Sequence, residues 1–285
     1  MRSRFDARST PTLCLTALLV LASASLAWAQ FGRRGGGGGG FGGFGFGNIR
    51  MAPADFPDRD FTLCRVMYQS VRQEADGAGW RTDYPVGDRN LLTRFGELTR
   101  TRVSQDREGI NHWVVRLTDD SIFKCGYSVA SDVGTMGLSD VEMRTLRTYL
   151  LKGGFLWVDD FWGEAAWRQW SSVMAKVLPG VTIEDIPLSD PIFTSQFEVK
   201  TIIQVPRYPF WVASGGQTSE RGAETRVPHF RGMRDDHGRI MVVMTHNTDI
   251  ADSWEREGEQ PEYFIKFSVD GYALGVNVLL YAQSH

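Results

Sequence analysis

The chain has 285 residues, 42% hydrophobic and 23% charged, a length that fits one large domain or two small ones at roughly 150 residues each. Nine Trp and 17 Phe carry more buriable surface than a disordered chain has, and no run of about 20 apolar residues marks a polytopic membrane protein. The formal net charge of −3 makes the chain a poor match for a nucleic acid backbone.

Residues 1–29 have the pattern of an export signal: Arg2, Arg4 and Arg8, an apolar stretch from Leu13 to Ala24, and a small-residue site at Ala27-Trp28-Ala29. Cleavage is expected before Gln30, leaving a net charge of −5 once Arg2, Arg4 and Arg8 are lost with Asp6. The alternative, an uncleaved anchor, suits the stretch less well, because it is short for a spanning helix. The expected location is therefore periplasmic or otherwise extracytoplasmic, with no transmembrane domain after cleavage. Only Cys64 and Cys125 remain beyond the signal, too few for a disulfide framework or a four-ligand zinc knuckle. They form either one disulfide or two separately buried thiols.

Residues 30–60 read as a flexible tether. Phe31–Gly47 holds 11 Gly, 4 Phe and 2 Arg, with no periodic apolar face to offset the entropy of ordering glycine. Residues 61–285 read as a single domain. A strand is predicted over Thr62–Gln69, a helix over Arg89–Arg102 with Leu91, Leu92, Phe95 and Leu98 at helical spacing, and strands over His112–Leu117 and Tyr127–Val133. Ser139–Lys152 predicts the clearest helix, with a Ser139/Glu142 capping box and a Gly153-Gly154 stop. Phe155–Val158 is apolar on both faces, as a strand of a covered parallel sheet should be. A helix over Glu164–Leu178, a strand over Thr182–Ile186, a hairpin over Arg231–Met244 turning at Asp235–Gly238, and a closing helix over Asp270–Ala282 complete the pattern. The alternation argues a βαβ-built α/β sandwich.

In such sheets ligands bind beyond the carboxyl ends of the strands, which singles out four places. Asp159 and Asp160, after Phe155–Val158 and before the Phe161-Trp162-Gly163 turn, suit metal ligands, a general base or a helix cap. His246 and Asp249, after Met241–Met244, suit an oriented base or a metal site with Asp159 and Asp160; alternatively His246 packs while Asn247 or Thr248 caps the helix running to Trp254. Trp80, Arg81, Asp83, Tyr84 and Asn90 form a polar aromatic loop suited to sugar rings or planar ligands, with Trp162 beside the Asp pair; an ordinary self-packed loop fits equally. Glu220 and Arg221, in Gly215–Gly222, suit a lid. The chain has no G-x-G-x-x-G, P-loop, H-E-x-x-H or G-x-S-x-G, which removes the common nucleotide, zincin and serine-hydrolase readings.

LRTYLLKGGFLWVDDFWG (Leu146–Gly163), GWRTDYPVGDRN (Gly79–Asn90), GGQTSERG (Gly215–Gly222) and MTHNTDIADSWEREGE (Met244–Glu259) together resemble the bacterial domain-of-unknown-function family 4159. The resemblance implies a flavodoxin-like three-layer sandwich with a mostly parallel sheet, a divergent branch of the class I glutamine amidotransferase-like fold. It also implies a setting beside MoxR-type ATPases and von Willebrand A-like proteins in envelope assemblies. By position, Asp159 or Asp160 stands where the amidotransferase cysteine would be, His246 where its histidine would be, and Asp249 near its acid. A carboxylate does not replace a thiolate as the nucleophile toward an amide, so glutaminase activity is not expected. Three functions compete: a ligand-binding or scaffold domain of the cell envelope taking a carbohydrate or peptide; a hydrolase in which Asp159, Asp160, His246 and Asp249 hold a divalent metal; and a structural partner of an envelope complex.

Overall fold

The computed structural model describes residues 49–285, which form one compact unit; the signal and the Gly/Phe segment lie outside the described residues. Seven strands make the central sheet: β1 (Leu63–Met67), β2 (His112–Arg116), β3 (Tyr127–Ser131), β4 (Phe155–Phe161), β5 (Glu184–Asp185), β6 (His229–Arg234) and β7 (Ile240–His246). Their order is β2-β1-β3-β4-β7-β6-β5. The first five run parallel, and β6 and β5 are added antiparallel at one edge. This mixed α/β architecture with a mostly parallel sheet is compatible with a flavodoxin-like sandwich.

Alternation along each strand divides the core into two layers. Phe155 and Trp157 of β4, Val243 of β7 and Leu63 of β1 pack against helices α1 (Val86–Thr99) and α6 (Val269–Ser284). Leu156, Val158, Cys64 and Val66 face the other way, against α2 (Asp140–Leu151) and α3 (Gly163–Val177). Two short helices, α4 (Tyr208–Ala213) and α5 (Asp252–Glu255), lie between β5 and the closing helix in sequence. No helix of the described residues is long and apolar enough to cross a membrane.

The α2 capping box forms, with Ser139 Oγ accepting from Glu142 N and Glu142 accepting from Ser139 N. The helix stops where Gly153 takes φ 103°, and a Cβ on Gly154 would stand 2.4 Å from the Tyr149 ring, so glycine is required there. Helix α1 begins at Val86 rather than Arg89 and ends at Arg100, which adopts a left-handed conformation. The strand predicted over Thr182–Ile186 shrinks to two residues and pairs antiparallel with β6 at the sheet edge instead of joining the parallel strands. Ion pairs between strands hold that edge: Arg231 with Asp185 at 3.0 Å and Arg234 with Glu184 at 2.7 Å.

The tether is shorter than residues 30–60. From Ile49 onward the chain packs on β2: Ala52 N donates to Val114 O, Val114 N donates to Arg50 O, and the Phe56 ring rests on Trp113. Ile49, Met51 and Phe56 supply apolar contact to the core.

The cysteines pair. Cys64, on β1, and Cys125, just before β3, form a disulfide with a sequence separation of 61. Because a cross-link restricts the unfolded chain most when the loop is long, replacing both cysteines by alanine is expected to lower stability by about 2–5 kcal/mol. Urea denaturation of the variant against wild type measures it, and an unchanged midpoint would show that the bridge contributes nothing.

Candidate functional site

Strands β1, β3, β4 and β7 end at the same side of the sheet, and each delivers carboxylates there: Asp83 in the loop after β1, Asp132 after β3, Asp159 and Asp160 at the end of β4, and Asp249 and Asp252 after β7. Asp83, Asp132, Asp159, Asp249 and Asp252 are all buried.

The strand β4 runs through Asp159 and Asp160 instead of stopping at Val158. Asp159 is a clamp. Its Oδ1 accepts from Thr245 Oγ1 at 2.5 Å and its Oδ2 from Ala251 N at 2.8 Å, while Thr245 Oγ1 also accepts from Trp157 Nε1 at 2.8 Å. Burial raises its carboxyl to about 6 against these hydrogen bonds, which favour the charged form. Asp160 is half-buried with φ 53°, and Trp162 Nε1 donates to its Oδ1 at 2.9 Å. Burial raises its carboxyl well above the usual range, and Asp83, Glu220, Asp132 and Asp159 add to the effect.

Neither residue caps α3. Gly163 N donates to Asn247 Oδ1 at 2.9 Å, and Glu164 N donates to Glu224 Oε1 at 2.7 Å, so the helix N-terminus is satisfied from two distant segments. Asn247 therefore caps α3 and not the helix toward Trp254. Thr248 Oγ1 accepts from Val205 N and donates to Ile203 O.

The structure does not bring His246 to the carboxylates. Thr245 points toward Asp159, so His246, the next residue on the strand, points to the opposite face. There its ring lies against Phe161 and Trp167 at 4.8 and 5.2 Å. Arg231 Nη1 lies 3.3 Å from Nδ1, and Nε2 lies 3.2 Å from Gly163 O. Since arginine only donates and a carbonyl only accepts, Nε2 carries the proton and both nitrogens are engaged. Burial lowers its pKa to about 4. The expected metal set of Asp159, Asp160 and His246 is thus not assembled, and the base role expected of His246 has no free nitrogen.

A different group is assembled. One oxygen each of Asp83, Asp249 and Asp252 lies within 4.8 Å of the others, the one such group of three among the described residues. Asp83 and Asp249 were expected at the site; Asp252 was not, although the Asp249-Ile250-Ala251-Asp252 turn places two carboxylates three residues apart. Asp249 Oδ1 accepts from Asp252 N at 2.9 Å, and Asp252 Oδ2 accepts from Tyr208 N at 2.7 Å. Burial raises all three carboxyls. Glu255 and Asp252 push Asp83 further, Asp160 and Asp83 push Asp249, and Glu255 pushes Asp252 to about 7.

Arg65 is the sole buried Lys or Arg among the described residues. It is committed to Asp88, to which Nε donates at 3.0 Å and Nη2 also donates. Its Nη1 donates to Ser131 Oγ at 2.7 Å, which donates in turn to Asp83 Oδ2 at 3.1 Å. The nearest buried positive charge is thus one hydroxyl away from the group.

The other expected ligand contacts are mostly structural. Trp80 is buried in the core with Tyr84 at 5.8 Å and the Arg81 guanidinium 5.1 Å from its ring. Tyr84 Oη accepts from Arg50 N. Asn90 Nδ2 donates to Trp254 O at 2.8 Å, tying α1 to the turn that carries Asp252. Glu220 accepts from Arg207 N at 2.6 Å, and Arg221 pairs with Glu74 at 3.0 Å.

A family model described as a domain of unknown function, DUF4159, matches residues 62–283; the chain belongs to this family. No curated protein matches it.

The carboxylates make stability depend on pH. Asp132, raised to about 7 by burial, and Asp252, also to about 7, bind protons in the folded state that the unfolded chain releases near 3.8. Their penalty therefore grows as pH rises from about 4 and levels off just above 7. Histidines buried neutral act in the opposite sense only below about 6.5, their unfolded value. In chelator, the melting temperature is expected to fall between pH 6.5 and 8.5, and the slope to flatten in Asp252→Asn. A flat wild-type profile would contradict the assignment.

Proposed function

We propose that this DUF4159 member is an exported binding protein of the cell envelope, not an amidotransferase, and that its crevice holds a divalent cation between Asp83, Asp249 and Asp252. One observation carries the reading: three buried carboxylate oxygens lie within 4.8 Å of one another, and the one Lys or Arg side chain paired with any of the three carboxylates is Arg256, 3.4 Å from Asp252 Oδ1, so negative charge stays in excess. Buried carboxylates in contact must take up protons or a cation. Two oxygens bonded at about 2.4 Å to one hard ion are separated by at most about 4.8 Å, and such ions take all-oxygen ligand sets. The group suits calcium, magnesium or manganese better than zinc, which prefers nitrogen and sulfur.

The amidotransferase-like, flavodoxin-like reading of the fold is supported by the β2-β1-β3-β4-β7 order, which follows the 2-1-3-4-5 pattern of doubly wound sheets. The positive φ of Asp160, where the resemblance puts the nucleophile, also supports it. Loss of amidotransferase chemistry is supported by Cys64 and Cys125 being joined to each other and by His246 lying on the other face. The leader pattern and the disulfide support export, because such bridges persist in oxidising compartments. A carbohydrate or peptide would reach the cation through its own oxygens.

A second reading, metal-assisted hydrolysis, is favoured by Asp160, which stands half-buried at the end of β4 with φ 53° and whose carboxyl is raised by burial and then by Asp83, so that it would serve as a proton donor or acceptor beside the proposed ion.

With protein stripped by chelator at pH 8, calcium or manganese chloride at about 100 times its dissociation constant is expected to stabilise by about 2.7 kcal/mol, a rise in melting temperature of roughly 5 °C or more. Asp249→Asn keeps an oxygen for Asp252 N. It is expected to melt higher than wild type in chelator and to lose the cation response. An unresponsive wild type would remove the cation and leave the carboxylates as structural acids. If the cation binds, ester or glycan turnover abolished in Asp160→Asn with cation binding retained would favour the hydrolase.

A further inference from the structure

We infer that two ion pairs latch the mouth of the carboxylate crevice, so that solvent and ligand reach Asp132 only when the pairs open; this rests on the crevice being the binding site and concerns how it is entered. The latch joins two segments far apart in sequence. One is residues 71–79, which leave β1 and lead to Asp83. The other is residues 207–222, which begin at α4. Asp76 Oδ2 lies 2.9 Å from Arg207 Nη2, and Glu74 Oε2 lies 3.0 Å from Arg221 Nη2. Glu74 also pairs with Arg72, whose Nη1 donates to Gly134 O at 2.9 Å beside Asp132.

Both segments rest directly on the acidic floor. Gly79 N donates to Asp132 Oδ2 at 2.9 Å, and Gly77 lies so close that a Cβ there would stand 2.4 Å from the same oxygen. From the other side, Tyr208 N donates to Asp252, and Glu220, held by Arg207 N, faces Asp160 electrostatically. Arg221 and Glu74 are likewise among the charges acting on Asp132. Charge and hydrogen bonding hold the 71–79 segment over the floor, while its one large aliphatic side chain, Val71, is 61% exposed.

Ion pairs of this kind can open. The Arg207 and Arg221 side chains are 33% and 28% exposed and Asp76 is 50% exposed, against 9% for Glu74, so the Asp76–Arg207 pair is the weaker of the two and both are open to screening by salt at their arginines. Opening separates two short surface segments without disturbing the sheet, the pattern expected of a low-stability element beside a binding site.

Carbodiimide-driven labelling of carboxyl groups with glycine ethyl ester, read residue by residue by mass spectrometry, measures access without any added ligand. In Arg207→Gln/Arg221→Gln, labelling of Asp132 is expected to rise about fivefold or more. The same rise is expected in wild type when sodium chloride is increased from about 50 mM to about 1 M. Asp159, clamped by Thr245 and Ala251, is the reference and stays constant. Gly77→Ala presses on Asp132 without touching either pair, and it too should raise labelling. Unchanged labelling of Asp132 overturns the latch, and so does a rise that includes Asp159, since that reports general unfolding. Labelling that responds in a protein whose melting ignores cations keeps the latch and discards the cation; the reverse result discards the latch.

Discussion

Crowding of carboxylates at one end of a parallel sheet is the constraint on which the rest of this structure depends. Asp83, Asp132, Asp159, Asp249 and Asp252 are buried there with Asp160 beside them, and the one buried guanidinium nearby is committed to Asp88. Like charges in a low-dielectric space repel strongly unless protonated or neutralised. Every loop at that end is arranged around this fact: backbone N–H groups of Gly79, Tyr208, Ala251 and Asp252 each donate to one of these carboxylates.

The same loops are tied to one another across long sequence distances. Asn247 and Glu224 supply the caps of α3, Asn90 fixes the Asp252 turn, and Gln204 Nε2 donates to both Thr225 O and Asn247 O. An acidic floor alone would spring open. Cross-ties of this density keep it in a single geometry, as a preorganised cation site requires. On the opposite face, the Arg231–His246–Trp167 stack locks β6 and β7 to α3, so a histidine beside the crevice in sequence serves packing instead of chemistry.

Much of the frame was legible from residue patterns. The capping box of α2, its Gly153-Gly154 stop and the doubly apolar Phe155–Val158 run each reflect a local rule, and local rules need no knowledge of neighbours. The candidate site was half legible: Asp160 and Asp249 stood just after buried strands, where ligands bind in such sheets, and Asp83 stood in a polar loop read as ligand-binding. Asp252 was missed because it lies inside a short helix, and Glu224 because nothing in its own segment hints that it caps a helix sixty residues earlier. His246 was misplaced because a single-residue step along a strand reverses the face a side chain presents, and the register that sets that face is a property of the pairing.

The sequence by itself determined the alternating α/β plan, the glycine segment and the absence of common nucleotide and hydrolase motifs, because these are matters of composition and short-range spacing. Only the tertiary structure decided that Cys64 meets Cys125, that residues 49–60 belong to the domain, that β5 pairs with β6 at the sheet edge, and which three carboxylates converge. Each depends on the strand order and register, which bring together residues up to about 170 positions apart and which no local pattern encodes.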